Sequence, residues 1–334
     1  MVKPIREITG VGPRQLGDAL LTSTEPLILR GLAADWPLVK AGRTSQRAAS
    51  DYLRRHYRGE KVVAMLGAPD IDGRFFYNED LSGFNFANVR TGLGGVLDEL
   101  EAHREDQRPP AIYVGSTEVD LALPGLRAEN DLDLGGRQPY VSIWLGNQTR
   151  IAAHYDLPDN IACVAAGRRR FTLFPPGQLS NLYIGPLDFT PAGQPISLVD
   201  LQRPDFERFP RFADALEQAR SAELDAGDAI FIPSMWWHHV EALTPFNVLV
   251  NYWWRQSPGH MDTPTTTLML ALMTMRDLPP DQRAAWREQF RHYVFDSDGS
   301  EAAHIPPAAR RVLAPLDDAS ARALRSQILN RMNR

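Results

Sequence analysis

Cysteine is nearly missing from this sequence of 334 residues: the single thiol, Cys163, rules out an intramolecular disulfide. Within the apolar stretch NIACVAAG it reads as a buried structural group rather than a nucleophile. No apolar run reaches the roughly 20 residues that cross a bilayer. The opening MVKPIREITGVGPRQLGDALL lacks the apolar core and small-residue cleavage site of a secretory signal. These absences lead us to expect a cytoplasmic protein with no membrane partner. A large charge excess is absent too, with 36 basic against 41 acidic residues and a formal net charge of −5. That balance argues against nucleic acid as the main partner and leaves the run GRRRF as the place to look for a local basic patch. Repeats, heptads and low-complexity segments are also lacking.

What is present is an ordinary globular composition, 43% hydrophobic and 23% charged. Residues 1–110 read as mixed: EPLILRGL is a short apolar strand ending at Gly31, SQRAASDYLRRHY has helical composition, and GGVLDELEAHRE looks like a surface helix. From AIYVGSTEV onward the pattern becomes short strands bounded by Gly, Pro and Asn: YVSIWLG, NIACVAAG, RFTLFPP, DAIFIPS and NVLVNYWW. Strands at such close spacing predict a sandwich or barrel over 111–257. Between them, LDFTPAGQPISLVDLQRPDFERFPRF is too rich in proline for regular structure and predicts a long ordered excursion. Residues 258–334 turn helical, with TTTLMLALMTM, PPDQRAAWREQFRHYVF and ASARALRSQILNRM. The Met and Leu stripe of 268–275 reads as a packing surface whose breadth suggests a partner helix, from this chain or a second copy.

The chemistry concentrates in AAHYDLPDN. On a strand, His154 and Asp156 point the same way, with Ala152 beside them and Tyr155 turned away. Far downstream, in LDAGDAIFIPSMWWHHVEAL, the triplet Ala226-Gly227-Asp228 makes a turn, AIFIP a strand, and a second strand begins near the His pair. Parity separates the two histidines. His238 runs with Val240 and Ala242 on an apolar inward face, while His239 runs with Glu241 on a polar one. An isolated H-x-D is weak, but joined to a turn, a Pro-ended strand and His238 it narrows the choice to metal-holding barrels. Two imidazoles and one carboxylate form the facial triad of non-heme iron(II) sites, which leaves adjacent positions open; zinc, cobalt or nickel could occupy the same ligands.

A chelating cosubstrate such as 2-oxoglutarate needs a cation for its remote carboxylate. In AGRRRFTLFPP, Arg169 shares a face with Phe171 and Leu173, and Arg168 and Arg170 take the other. Arg169 is therefore the candidate, its planar fork suiting a carboxylate, unless all three arginines are solvated at a hairpin. Asn160 and Asn251, each inside an apolar strand, are either neighbours of the chelating end or satisfied structural amides.

AAHYDLPDNIACVAAGRRRFTLFPP, ERFP and IPSMWWHHVEAL…NVLVNYWW resemble the JmjC or cupin-like 2-oxoglutarate oxygenases, in particular the asparaginyl hydroxylases typified by factor inhibiting HIF. EPLILRGLAADWP and RFFYNEDLSGFNF look like the N-terminal portion of bacterial members, so the resemblance covers most of residues 20–256. It implies a mainly β fold with flanking helices, a double-stranded β-helix of the jelly-roll or cupin type, with an N-terminal α/β portion packed on it (1–110) and a C-terminal helical element that makes a homodimer. It implies iron(II) on His154, Asp156 and His238, with 2-oxoglutarate and O2 as cosubstrates, and places Tyr113 and Asn251 against 2-oxoglutarate. Arg169 stands where that branch has a lysine. The family threonine position holds Ile151, with Thr149 as the candidate replacement. The expected activity is hydroxylation of a protein side chain or small molecule. The rivals are JmjC-type demethylation, disfavoured by the lack of a zinc finger or reader domain, and an idle cupin that binds metal or ligand without turnover.

Overall fold

The computed structural model describes residues 3–333. Fifteen strands are formed among them: β1 (Lys3–Pro4), β2 (Arg6–Ile8), β3 (Leu27–Leu29), β4 (Lys61–Gly67), β5 (Arg74–Phe75), β6 (Phe86–Gly92), β7 (Ala111–Glu118), β8 (Tyr140–Gly146), β9 (Arg150–His154), β10 (Asp159–Ala166), β11 (Arg168–Phe174), β12 (Arg220–Asp225), β13 (Ala229–Ile232), β14 (Trp237–Ala242) and β15 (Asn247–Trp254). They assemble into two sheets. One has the order β1-β12-β11-β14-β9-β5, the other β2-β3-β13-β10-β15-β8-β7-β4-β6. This is the mainly β, jelly-roll type of architecture, with helices flanking it.

The sheets close on each other through alternating side chains. Phe171, Leu173, Leu224 and Val240 of the six-stranded sheet meet Ile28, Ala162, Val164, Ile230 and Leu249 of the nine-stranded one. The opposite face of the nine-stranded sheet, with Ile161, Cys163, Ala165, Val248 and Val250, packs against helices Pro37–Thr44, Gln46–His56 and Leu93–Ala102. A strand covered on both sides is largely apolar: every residue of β10 is buried, and past Asp159 and Asn160 at its start none is polar. Its small side chains let a helix come close: a Cβ on Gly42 would sit 2.6 Å from the Ala165 carbonyl oxygen. The helix Leu93–Ala102, expected at the surface, accordingly buries Leu93, Val96, Leu97 and Leu100.

Residues 3–110 are woven into the sheets rather than laid on them. β1 and β5 are the edges of one sheet, and β2, β3, β4 and β6 belong to the other. The proline-rich excursion lies between β11 and β12, which pair with each other, and its Val199, Phe209 and Phe212, with Leu182 just ahead of it, cover the outer face of the six-stranded sheet with Phe174 and Trp237.

The chain divides into two compact units, one ending at Arg255 and one beginning at Gln256. The second contains helices Pro264–Thr274, Pro280–Phe290 and Asp318–Met332. The last is held at its start by a capping box, in which Ser320 N donates to Asp317 Oδ1 at 2.8 Å. No helix among the described residues is long and apolar enough to cross a membrane.

Candidate metal centre

Between the sheets lies a cavity of about 350 Å³. The six-stranded sheet lines it with His154, Arg169 and His238, and the nine-stranded sheet with Tyr113, Trp144, Asn160, Asn251 and Trp253. Each of these strands faces another sheet, so the residues that point inward are set by strand parity.

His154 ends β9 and His238 stands opposite it on β14. Asp156, however, is not on the strand: β9 stops at His154, and the carboxylate comes from the loop that follows. That loop is stapled to the one ahead of His238. Met235 N donates to the Asp156 carbonyl at 2.9 Å, Ser234 N to Asp159 Oδ1 at 2.9 Å, and Ser234 Oγ to the Leu157 carbonyl at 2.6 Å. One donor atom from each of His154, Asp156 and His238 lies within 4.8 Å of the others.

Both rings are set for ligation by backbone carbonyls. His154 Nδ1 lies 2.9 Å from the Ala152 oxygen and His238 Nδ1 3.0 Å from the Trp236 oxygen. A carbonyl only accepts, so each Nδ1 carries a proton, and the tautomer that ligates a metal, with its lone pair on Nε2, is the one these contacts select. Burial, with His154 alongside, pushes the His238 imidazole down to about 4 against the pull of Asp156, which keeps it neutral near pH 7. The Asp156 Oδ2 atom accepts from Asn160 Nδ2 at 3.2 Å and from the Trp253 indole at 3.1 Å.

Arg169 is 1% exposed, and its Nε and Nη2 have no hydrogen-bond partner. Burial draws the guanidinium below its ordinary range, opposed by Tyr113. Burial in turn pushes the Tyr113 phenol up to about 12 against the pull of Arg169. A buried cation with unpaired donors is costly unless an anion meets it. Asn251 Nδ2 donates to Asn160 Oδ1 at 2.8 Å, while its own Oδ1 is buried without a partner. The site thus has a facial set of hard and borderline ligands, an orphaned guanidinium and an orphaned amide oxygen around one cavity. Iron(II), 2-oxoglutarate and dioxygen fit that set.

Two expectations need correction. Thr149 is buried but is not among the cavity-lining residues; it precedes β9, where its carbonyl accepts from Ala242 N at 2.8 Å. Ile151 lines the cavity instead, because β14 pairs His238 with His154 but Val240 with Ile151, a one-residue bulge that turns both to the same side. His239 does face away with Glu241, yet neither is solvated: both are 5% exposed. Arg150, Asp200 and Arg74 surround His239, and burial pushes its imidazole down to about 4.

Trp144, Trp253 and the excursion residues Pro191, Ala192, Gln194 and Ile196 also line the cavity and were not read from the sequence. Trp253 had a usable signal, since it sits two residues from Asn251 on the same strand and so shares its face. The excursion had none, lacking any period.

Residues 13–260 match the cupin-like domain family. Lysine-specific demethylase JMJ31 of Arabidopsis thaliana is 29% identical over 71% of this chain and 48% of its own length. The tRNA wybutosine-synthesizing protein 5 of Mus musculus is 30% identical over 86% of this chain and 93% of its own, and HSPB1-associated protein 1 of Homo sapiens is 30% identical over 85% and 58%. The chain therefore spans about half the length of the demethylase and of the human relative, and nearly all of the mouse one.

Proposed function

The chain belongs to the cupin-like domain family, and on that premise we propose that it is an iron(II)- and 2-oxoglutarate-dependent oxygenase that hydroxylates a C–H bond of a protein side chain or small molecule. His154, Asp156 and His238 are its metal ligands. When bound, the iron and cosubstrate supply the two-electron oxidation of the substrate by dioxygen, with succinate and CO2 as coproducts. The chain's own part is positioning. The Ala152 and Trp236 carbonyls aim the two imidazoles, and Asn160 and Trp253 orient the carboxylate. Arg169, with Tyr113 beside it, receives the remote carboxylate of the cosubstrate, and Asn160 and Asn251 neighbour its chelating end. Phe75, Trp144, Ile151 and Val240 keep the wall apolar and water out.

The observation that carries this reading is Arg169: unpaired guanidinium donors at 1% exposure in the same cavity as the triad call for a bound anion. Calorimetry with 2-oxoglutarate and an inert divalent metal tests it, with binding expected for the parent chain and lost in Arg169→Ala. Succinate release with iron(II) and ascorbate separates an enzyme from an idle binding protein. The likeness to a lysine-specific demethylase favours a second reading, for which formaldehyde release from methyl-lysine peptides is the readout. Given the tRNA-modifying relative, tRNA is a further arm of the same assay, and no turnover on it is the outcome the acidic charge balance predicts.

We also propose that the chain is a cytoplasmic homodimer, paired through its C-terminal helices. The apolar groove of about 480 Å³ lined by Leu268, Leu272, Met275, Trp286 and Phe290 supports it.

A further inference from the structure

Trp253 belongs to no ligand set, yet it touches the centre at its most sensitive group. Its indole N–H donates to Asp156 Oδ2 at 3.1 Å, and the same oxygen accepts from Asn160 Nδ2 at 3.2 Å. The two donors come from one rung of the ladder, because β10 and β15 pair Asn160 with Trp253. Neither is free to turn. The Asn160 amide is oriented by Asn251, which donates to its Oδ1 at 2.8 Å. The indole lies parallel to Tyr140 at 6.2 Å and edge-on to Trp144 at 5.7 Å, which fixes the direction of its N–H.

Both donors meet Oδ2, the carboxylate oxygen that also lies 3.6 Å from His238 Nε2, whereas Oδ1 accepts no hydrogen bond from the described residues. We infer that Trp253 is a positioning residue that, together with Asn160, sets the rotation of the Asp156 carboxylate and so which oxygen is turned toward His238 Nε2. This rests on the reading of His154, Asp156 and His238 as the metal site. Without the indole N–H, one of the two donors that hold Oδ2 is lost, and the carboxylate is freer to turn away from the point where its oxygen and the two imidazoles converge. Outer partners of metal ligands typically govern affinity as well as orientation.

The test uses cobalt(II) as the probe, titrated into the metal-free full-length protein and followed by its visible absorption. Trp253→Phe removes the donor and keeps an aromatic ring. A second variant carries benzothienylalanine at 253, which replaces N–H by sulfur in a ring of nearly the same shape and so preserves the stack on Tyr140 if the phenylalanine variant does not fold. Both are expected to bind cobalt(II) about 10-fold or more weakly and to give an altered absorption band, with the melting temperature of the metal-free protein unchanged. Equal affinity and an identical band in the sulfur variant overturn the inference while leaving the site itself intact. If His154→Ala binds cobalt(II) as the parent does, the reading of the site falls and the inference with it.

Discussion

The two units of the chain dispose of their apolar residues in opposite ways. In the unit ending at Arg255, both sheets are covered, and side chains as large as Phe171, Phe174, Phe231 and Tyr252 have essentially no exposure. In the unit beginning at Gln256, the buried hydrophobic residues among those described are Ala302 and Ala321, while Met273 is 67% and Phe295 75% exposed. A centre whose ligands must hold position to a fraction of an ångström needs side chains locked by packing on all sides. Helices carrying broad apolar surface without a core of their own offer a face to a partner, which is the ground for the homodimer proposed above.

The comparison breaks most visibly at the metal. His154→Ala and Asp156→Ala should each abolish succinate formation and iron retention while the metal-free chain melts as the parent does; iron-dependent turnover surviving in the double variant would mean that the ligands lie elsewhere. Next in size is the core beneath the nine-stranded sheet. Phe231, fully buried and stacked on Trp254, should cost about 3–5 kcal/mol when truncated to alanine, read by denaturant unfolding. Arg169→Ala should weaken 2-oxoglutarate binding roughly 30-fold or more, in line with about 2–5 kcal/mol for a desolvated charge pair, whereas Arg168→Ala on the exposed face should leave the titration unchanged. Truncation after Pro258 should turn the dimer into a monomer of the shortened chain by light scattering without unfolding the remainder; an intact dimer would place the interface in the first unit. The smallest effect is expected at Met273→Ala, which should shift the unfolding free energy of the first unit by less than about 0.5 kcal/mol and register only as weaker self-association.

The strands legible in the sequence were those buried on two faces, since unbroken apolar runs such as NIACVAAG and NVLVNYWW leave no other reading. β4 and β6 escaped notice because they are half-exposed strands with weak alternation, and β12 because its RSAELD carries charges. Parity put Arg169 and His238 on the cavity side because their strands run regularly. It misled at Asp156, where the strand had already ended; Thr149, taken from the resemblance and not from parity, lies ahead of β9 and off the cavity wall. Distant covering segments were illegible for a different reason: that His239 is buried depends on the excursion folded over it, and no local pattern encodes that contact.

The excursion has a consequence of its own. It is the loop of a hairpin, because β11 and β12 pair from Arg168 with Asp225 to Leu173 with Arg220 on either side of it. It is tied down by Tyr77, whose hydroxyl donates to the Phe189 carbonyl at 2.5 Å, and by Phe84 stacked on Phe189 at 4.7 Å. Pro191, Ala192 and Gln194 reach the cavity from this loop, and none of the triad does. Insertions, deletions and exchanges there can reshape the entrance without moving a ladder hydrogen bond or a ligand. Descent with modification can then retune what such a protein admits while the oxidising centre is inherited untouched.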